Sequence, residues 1–213
     1  AGTIGECSSY SFNGNKVIAG ISGGGMFMTD NKEHADYVRR VRRHGKDKDF
    51  TELGYNSKMF VTNADIIQYR LTQMSKWQEK RNEIAAIYTK ELKYDVICQN
   101  VPEELSHNFH KFVIRFEDKD QRKRVKDGLK SVGLNASIHY EKPLSENSLY
   151  IKEHHRKDQC TNSQIASDTV MSLPIHAWLT DEEIEEMARD MSLEEPMQDQ
   201  QEGGDENGPN TTN

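Results

Sequence analysis

The sequence predicts an α/β protein in which short strands and helices flank one long helix. Three observations support this class. Two short strand patterns lie on either side of a glycine-rich loop, a helical pattern without Gly or Pro fills residues 61–92, and strand and helix patterns then alternate to about residue 191. Such alternation is typical of layered α/β domains. We therefore expect an N-terminal part over 1–60, a connecting helix over 61–92 and a small α/β domain over 93–193.

The N-terminal part is expected to hold two strands and a helix. The stretches "CSSYSF" and "GMFMTD" combine small and aromatic residues and read as short strands, the second ending at a turn. A helix is expected over 32–44, where Ala35, Val38 and Val41 follow helical spacing. Asn31 or Asp30 can cap its start, and Gly45 stops it.

The connecting helix is predicted as one long helix or two nearly continuous ones. Its apolar residues fall roughly on one stripe, as in a helix that packs one face against a core. These residues are Ile66, Ile67, Leu71, Met74, Trp77, Ile84, Ala85, Tyr88 and Leu92.

The C-terminal part alternates between strand and helix patterns. "KFVIRF" and "NASIHY" read as strands, and "MSLPIH" reads as a short strand end. Between the first two, residues 119–132 suit a helix with Val125, Leu129 and Val132 inward, ended by Gly133. Thr180 is expected to cap a last helix that ends near residue 191, with acidic residues in its first turn.

The last twenty residues differ from the rest in composition. Residues 194–213 contain six acidic residues, no Lys or Arg, and one Met as the only hydrophobic residue. Such a segment buries too little apolar surface to offset the entropy of ordering, so we expect it to be disordered. It also explains most of the net charge of −7, because the remainder of the chain is close to neutral.

Composition argues against several classes of protein. No apolar run reaches membrane-spanning length, and no basic segment followed by an apolar one marks a secretory signal. The three cysteines lack metal-like spacing, so we expect free thiols, a reducing cytoplasmic location and no metal site. The basic stretches "VRRVRRHGK" and "RKRVK" read as solvated helix faces on a near-neutral body, so we expect neither nucleic acid nor membrane as a partner.

Lys16 precedes three consecutive glycines, and three interpretations compete for it. A nucleotide-hydrolysing phosphate loop requires glycines before the lysine and a helix after it, which is the reverse of the order found here. A second interpretation is a solvated loop lysine beside a flexible turn. The third is a lysine that forms a Schiff base with a carbonyl, in a loop whose glycines let a cofactor approach the backbone.

Six ordered motifs carry a resemblance to a known family. "SFNGNK" with "SGGGM", "RRHG", "ELGYNSKM", "QEKRNEIAAIY", "IHYEKPL" and "SLPIHAWLTDEEIEEM" resemble, in order, segments of the DegT/DnrJ/EryC1/StrS family of pyridoxal-phosphate sugar aminotransferases. The resemblance extends from residue 1 to about 191. It implies part of a fold type I pyridoxal-phosphate transferase, in which 1–60 is the end of the large cofactor-binding domain and 61–92 connects it to the small C-terminal domain.

The resemblance also implies roles for individual residues. Lys16 would bind pyridoxal 5′-phosphate covalently and later move a proton between substrate and cofactor. Ser11 would bond the cofactor phosphate, and Asn56 would reach the phosphate bound by the neighbouring subunit of a homodimer. His139 and Tyr140 end a predicted strand near the family's substrate position. From the residues alone, a packed core His and a half-buried Tyr remain open for these two positions.

The chain also departs from the family pattern. The family is about twice as long, and its first half supplies the aromatic that stacks on the cofactor ring and the acid that faces the ring nitrogen. Lys58 stands where Arg is typical, and Ser145 replaces a substrate-side His. We expect a C-terminal part of an enzyme that moves an amino group, from glutamate, to a nucleotide-linked keto-sugar in polysaccharide biosynthesis. The alternative is a truncated, non-catalytic paralogue that dimerises or binds a partner.

Overall fold

The computed structural model describes residues 2–92, 96–131, 133–154 and 159–191. Strands β1 (Cys7–Ser11) and β2 (Gly25–Thr29) form an antiparallel pair in which Cys7 lies opposite Thr29 and Ser11 opposite Gly25. Both strands lie where the sequence predicts them. The glycine-rich loop therefore connects the end of β1 to the start of β2, which lie opposite each other in the pair.

Helix α1 (Lys32–Val41) follows β2 and contacts it. The Asn31 side chain accepts from the backbone N–H groups of Glu33 and His34, so Asn31 and not Asp30 is the cap. The helix is shorter than the predicted 32–44. It ends at Val41 because the next residues turn to pair with the segment around Tyr55, whose N–H donates to the Val41 carbonyl over 2.7 Å.

The connecting helix is two helices, α2 (Val61–Thr72) and α3 (Met74–Glu91), which meet at Gln73. The structure thus matches the predicted alternative of two nearly continuous helices. The predicted stripe is right for Ile67, Ile84 and Tyr88, which are buried, but wrong for Leu71 and Met74, which are 43% and 41% exposed. These two residues lie at the junction, where the break at Gln73 interrupts a single continuous stripe.

The C-terminal layer is a second antiparallel pair with helices packed against it. Strands β3 (Phe112–Arg115) and β4 (Val170–Leu173) pair with Phe112 opposite Leu173 and Arg115 opposite Val170. The remaining helices are α4 (Lys119–Ser131), α5 (Ser148–His154), α6 (Thr161–Thr169) and α7 (Asp181–Met191), with a short 3-10 turn at Leu144–Glu146. Helix α7 contacts both α3 and α4.

The main core lies between α3, the β3–β4 pair, α4 and α7. Its most completely buried large side chains are Tyr88, Phe112, Phe116, Ile84, Leu92, Ile114, Leu129, Met171 and Ile184. The buried hydroxyl of Tyr88 donates to the Pro174 carbonyl over 2.9 Å, as a phenol taken out of water requires. A smaller cluster of Phe12, Ile18 and Ile67 holds the N-terminal part against α2.

Several predicted elements of the C-terminal layer differ from the structure. "NASIHY" is not a strand: Ser137 forms a single bridge with Ser172, and the chain then leaves the sheet toward Pro143. Helices α5 and α6 were not predicted. Thr180 does cap α7, since its hydroxyl oxygen accepts from the Glu183 N–H while the Glu183 carboxylate accepts from the Thr180 N–H.

The expected disordered tail, 194–213, lies outside the described residues, as does Val132. The division into 1–60, 61–92 and 93–193 stays a prediction. Among the described helices, none combines the length and apolar character that a bilayer span requires.

Candidate active site

Lys16 ends a tight turn that follows β1. Its backbone N–H donates to the Asn13 carbonyl over 2.9 Å, and the Asn13 side-chain oxygen accepts from the Asn15 N–H over 3.2 Å. Asparagine favours such turns because its side chain bonds the backbone two residues further on. The Lys16 side chain is exposed, and no carboxylate of the described residues lies within ion-pair distance of it. The amine is therefore accessible to a carbonyl ligand.

The glycine loop after Lys16 is held by helix α2. The buried side chain of Asn63 donates to the Gly23 carbonyl over 2.7 Å and accepts from the Ser22 N–H over 3.4 Å. A Cβ at Gly20 would lie 2.3 Å from the Gly23 carbonyl oxygen, so this close approach requires glycine. Arg70, also on α2, donates to the Ala19 carbonyl.

Sequence reasoning missed both of these α2 residues. The available signal was Asn63 itself, a polar side chain one helical turn before the apolar Ile67 and therefore on the same face of the helix. A polar residue on a buried face needs a hydrogen-bonding partner. Here the partner is the loop that carries the glycines.

Ser11 and Lys16 lie on the same turn. Ser11 is the last residue of β1, its side chain is exposed, and its Oγ accepts from the Asn13 N–H over 3.3 Å. The hydroxyl hydrogen is therefore available to a ligand beside this turn. Ser11 and Lys16 are therefore five residues apart on one turn, and their expected contact with one small molecule stays a prediction.

Asn56 lies in a different segment. Its backbone bridges to Arg43, its side chain is exposed, and none of the hydrogen bonds described connects that side chain to Ser11 or Lys16. Its expected role toward a neighbouring subunit stays a prediction.

The "RRHG" and "ELGYNSKM" motifs contact each other. His44 of the first motif donates its backbone N–H to the Tyr55 carbonyl over 3.0 Å. Arg40, just before that motif, donates two hydrogen bonds to one carboxylate oxygen of Glu52, at 2.8 and 3.2 Å. Gly45 has a φ of 72°, and a Cβ there would lie 1.7 Å from the Glu52 carbonyl oxygen. The two motifs therefore form one packed unit, which presents Asn56 on its surface.

His139 and Tyr140 have different environments. His139 is half-buried, and its Nδ1 lies 3.1 Å from the Ser172 hydroxyl. Tyr140 is 74% exposed, which is more than the half-buried position that the residue pattern left open. His139 lines a cavity whose other wall includes Asn15, whereas Tyr140 is not among the lining residues.

That cavity separates the Lys16 turn from the C-terminal layer. It has a volume of about 310 Å³, and its polar lining residues are Asn15, Arg81, His110, Lys111, Asn135, Ser137, His139 and Ser172. His110 closes one side, since its Nε2 lies 2.7 Å from the Asn15 carbonyl oxygen. His110, Arg81 and Lys111 were not predicted as site residues, because they are distant in sequence from Lys16.

The electrostatic environment of His110 is positive. Burial lowers the pKa of its imidazole, and the charges of Lys111, Lys16 and Arg81 lower the pKa further, against the raising effect of the hydrogen bond to the Asn15 carbonyl. Burial also lowers the pKa of His139, with Lys111 and His110 contributing. Both imidazoles therefore favour the neutral form.

The residues of the Lys16 turn fit covalent attachment of pyridoxal 5′-phosphate. The exposed hydroxyl of Ser11 at the end of β1 and the exposed primary amine of Lys16 flank one turn, and the glycine loop follows it. An amine nucleophile and a hydroxyl donor are the groups that an aldehyde and a phosphate require. The turn thus carries the two types of group that such a cofactor needs, and the roles of Ser11 and Lys16 toward it stay predictions.

The comparisons with known proteins agree with this geometry. The profile of the DegT/DnrJ/EryC1/StrS aminotransferase family matches residues 1–192. A pleiotropic regulatory protein of Geobacillus stearothermophilus is 29% identical over 188 residues, covering 85% of this chain and 50% of that protein. The UDP-N-acetyl-3-dehydro-alpha-D-glucosamine 3-aminotransferase of Acidithiobacillus ferrooxidans is 26% identical over 88% of this chain and 50% of its own length.

A solved structure has the same fold. The crystal structure of a DegT DnrJ EryC1 StrS aminotransferase from Brucella abortus superposes with a TM-score of 0.80 at 25% identity, covering 88% of this chain and 50% of that chain. The chain thus spans about half the length of the relatives it matches. Its described part corresponds to part of a pyridoxal-phosphate transferase fold, as the sequence predicts.

Proposed function

Because the chain belongs to the DegT/DnrJ/EryC1/StrS aminotransferase family, we propose that it forms the C-terminal part of a sugar aminotransferase. The reaction moves an amino group, from glutamate, onto a nucleotide-linked keto-sugar. The observation that supports this most directly is the Lys16 turn, where an exposed amine and the exposed Ser11 hydroxyl lie five residues apart within the motif that resembles the family's lysine segment.

In this proposal each residue of the turn has a separate task. Pyridoxal 5′-phosphate, when bound, supplies an electron-accepting ring, and related structures are solved with it or its amine form. The Lys16 Nζ holds the cofactor and then carries a proton to or from the substrate carbon. The Ser11 hydroxyl donates to the phosphate. Asn56 donates to the phosphate of the cofactor bound by the other subunit of a homodimer.

The C-terminal layer contributes the substrate side. His139 lines the cavity that faces Asn15, so its imidazole is placed to contact a sugar group held between the two parts of the chain. Tyr140, at 74% exposure, would contact substrate at the rim. Because the turn and the layer belong to different parts of the fold, substrate would bind between them.

An amination assay tests this proposal. The chain is fused after the N-terminal half of the Acidithiobacillus relative, and its glutamate-dependent amination of a UDP-linked 3-keto-sugar is measured. We expect turnover that Lys16→Arg abolishes and that Lys76→Arg, a change at an exposed lysine of α3, leaves intact. A folded, dimeric fusion that aminates no nucleotide-linked keto-sugar would contradict the proposal.

A second candidate function is that of a non-catalytic module that pairs with another copy of this chain. Its support is the apolar surface of the first sheet, where Met26, Phe27 and Met28 are 37–50% exposed, next to a groove of about 900 Å³ between the sheet and α1. Light scattering of the purified chain and of its Met28→Lys variant tests this second candidate. A stable dimer that dissociates when Met28 is changed to Lys favours the module, and a monomer argues against it.

A further inference from the structure

The cavity between the Lys16 turn and the C-terminal layer has an unbalanced charge. Its polar lining side chains include Arg81, Lys111, His110 and His139, and no Asp or Glu of the described chain is among them. A concave site lined by one sign of charge concentrates ligands of the opposite sign. The charge balance of this cavity therefore differs from that of the chain as a whole.

Arg81 is the most unusual member of the lining. Its side chain is only 8% exposed, and within the described residues it has no carboxylate partner. Its Nη1 donates to the carbonyls of Phe109 and His110, at 2.8 and 3.5 Å, while its buried Nε has no partner. Arginine remains charged at all ordinary pH values, so a full positive charge is buried against neutral carbonyls alone.

A buried, uncompensated charge is costly, and proteins normally pair it. Burial lowers the pKa of Arg81, which reflects this cost. The neighbouring cations do not relieve it, because Lys111 and His110 have the same sign when charged. A negative partner from outside the described residues would compensate this charge.

We propose that this cavity binds an oxyanionic group of a substrate, with Arg81, Lys111 and His139 around it. The volume of about 310 Å³ accommodates a carboxylate or a phosphate group with part of the molecule that carries it. Arginine and lysine are the usual ligands of both groups. Because Asn15 also lines the cavity, the anion would bind within one residue of Lys16.

This inference rests on the proposed function only for the source of the anion. The proposed reaction has two anionic reactants, the carboxylates of the amino donor and the diphosphate of the nucleotide-linked sugar. Both present the same chemistry to the cavity. The test therefore uses L-glutamate and inorganic pyrophosphate as separate probes and measures binding, which does not depend on turnover.

The measurement is an NMR titration of the histidine Cε1–H signals of the full chain with each probe, at ionic strength balanced with sodium chloride. We expect saturable shifts at His110 and His139 with one or both probes, and none with sodium chloride alone. Response to pyrophosphate alone assigns the site to a phosphate, and response to glutamate alone assigns it to a carboxylate.

Two substitutions make the test specific. Lys111→Gln removes one lining charge from a half-buried position and is expected to raise Kd about tenfold, equivalent to ~1.4 kcal/mol. Lys90→Gln removes the same charge from an exposed position on α3, where its partner is Glu91, and is expected to leave Kd unchanged. Absence of saturable shifts with both probes, or equal binding by the wild type and Lys111→Gln, would overturn the proposal.

Discussion

The His110 Nε2 lies 2.7 Å from the carbonyl oxygen of Asn15, the residue immediately before Lys16. Since a carbonyl only accepts, the hydrogen of the imidazole is on Nε2. The backbone carbonyl of His110 and that of Phe109 accept in turn from Arg81 on α3. The turn that carries Lys16 is therefore connected to the connecting helix through one imidazole.

The first prediction concerns this contact. His110→Ala removes the donor to Asn15, and we expect a loss of about 1 kcal/mol in the free energy of unfolding, the usual net value of one hydrogen bond. We also expect faster amide exchange at Asn15 and Lys16. His110→Gln, which keeps an N–H donor of similar reach, is expected to recover part of both effects. Equal exchange rates in the wild type and His110→Ala would show that the turn is fixed without the imidazole.

The second prediction concerns pH. His110 and His139 have pKa values lowered by burial, so below the ordinary histidine value the unfolded chain binds more protons than the folded chain. Stability then rises with pH through this range and falls on acidification below about pH 6.5. The midpoints of urea unfolding, measured across this pH range, test whether stability rises with pH. A midpoint that is constant or increases on acidification would contradict it.

Carboxylates make a separate contribution at lower pH. The hydrogen bonds of Asp36 with Lys32 and of Asp127 with Lys123 lower the pKa values of these two carboxyl groups. Their contribution is present above the ordinary aspartate pKa and is lost as the pH falls through the lowered values. The His139→Asn variant distinguishes the two contributions. It is expected to reduce the pH dependence of stability near the histidine pKa and to leave the dependence at lower pH unchanged.

Local sequence patterns predicted the elements whose residues interact with near neighbours. Asn31, one of the two caps that the sequence offered, the Thr180 cap and the strands at "CSSYSF" and "GMFMTD" follow from side chains close in sequence or from strand composition. The "NASIHY" strand was wrong, because the segment meets the free edge of β4 at one bridge only, Ser137 to Ser172, and does not continue along it.

The site was predictable where one motif contained it. Ser11 and Lys16 are five residues apart, so the turn that joins them is local. Asn63, Arg81 and His110 were not predictable, because their contacts to Gly23, Phe109 and Asn15 depend on how distant segments pack. A single sequence contains no direct record of those distances.

The third prediction concerns the glycine loop. Asn63→Leu leaves the Gly23 carbonyl and the Ser22 N–H without their partner, and we expect a loss of ~1–3 kcal/mol in the free energy of unfolding. The Ser22 and Gly23 amides should exchange faster. Thr62→Ala, one residue earlier on the exposed face of α2, is the control and is expected to change neither quantity. A loop as protected as the wild type in Asn63→Leu would contradict this account.

The fourth prediction compares two glycines. Gly45 has a φ of 72°, and a Cβ there would lie 1.7 Å from the Glu52 carbonyl oxygen, so Gly45→Ala must displace the segment that presents Asn56. We expect a loss of more than ~2 kcal/mol by thermal unfolding. Gly128 lies in α4 with open space around its Cα, and Gly128→Ala is expected to gain about 0.5–1 kcal/mol. A reversed order of the two melting temperatures would contradict the described packing.

The chain alone provides one side of a cofactor site, and this determines how it should bind the cofactor. The resemblance assigns the groups that stack on the ring and face its nitrogen to the family's first half, so the Lys16 turn is expected to hold pyridoxal 5′-phosphate weakly. Titration of the purified chain should give no saturating visible band in the micromolar range. A stable band in that range would show that the described half is sufficient.

The central claim, that Lys16 is the attachment point, is tested most directly by reductive trapping. The fusion with the relative's N-terminal half is incubated with pyridoxal 5′-phosphate, reduced with borohydride, digested and mapped by mass spectrometry. We predict that the cofactor mass lies on the peptide containing "SFNGNK" and is absent from Lys16→Arg, whose fold should persist because the side chain is exposed. Predominant labelling of any other lysine of this chain, with Lys16 unmodified, would contradict the account.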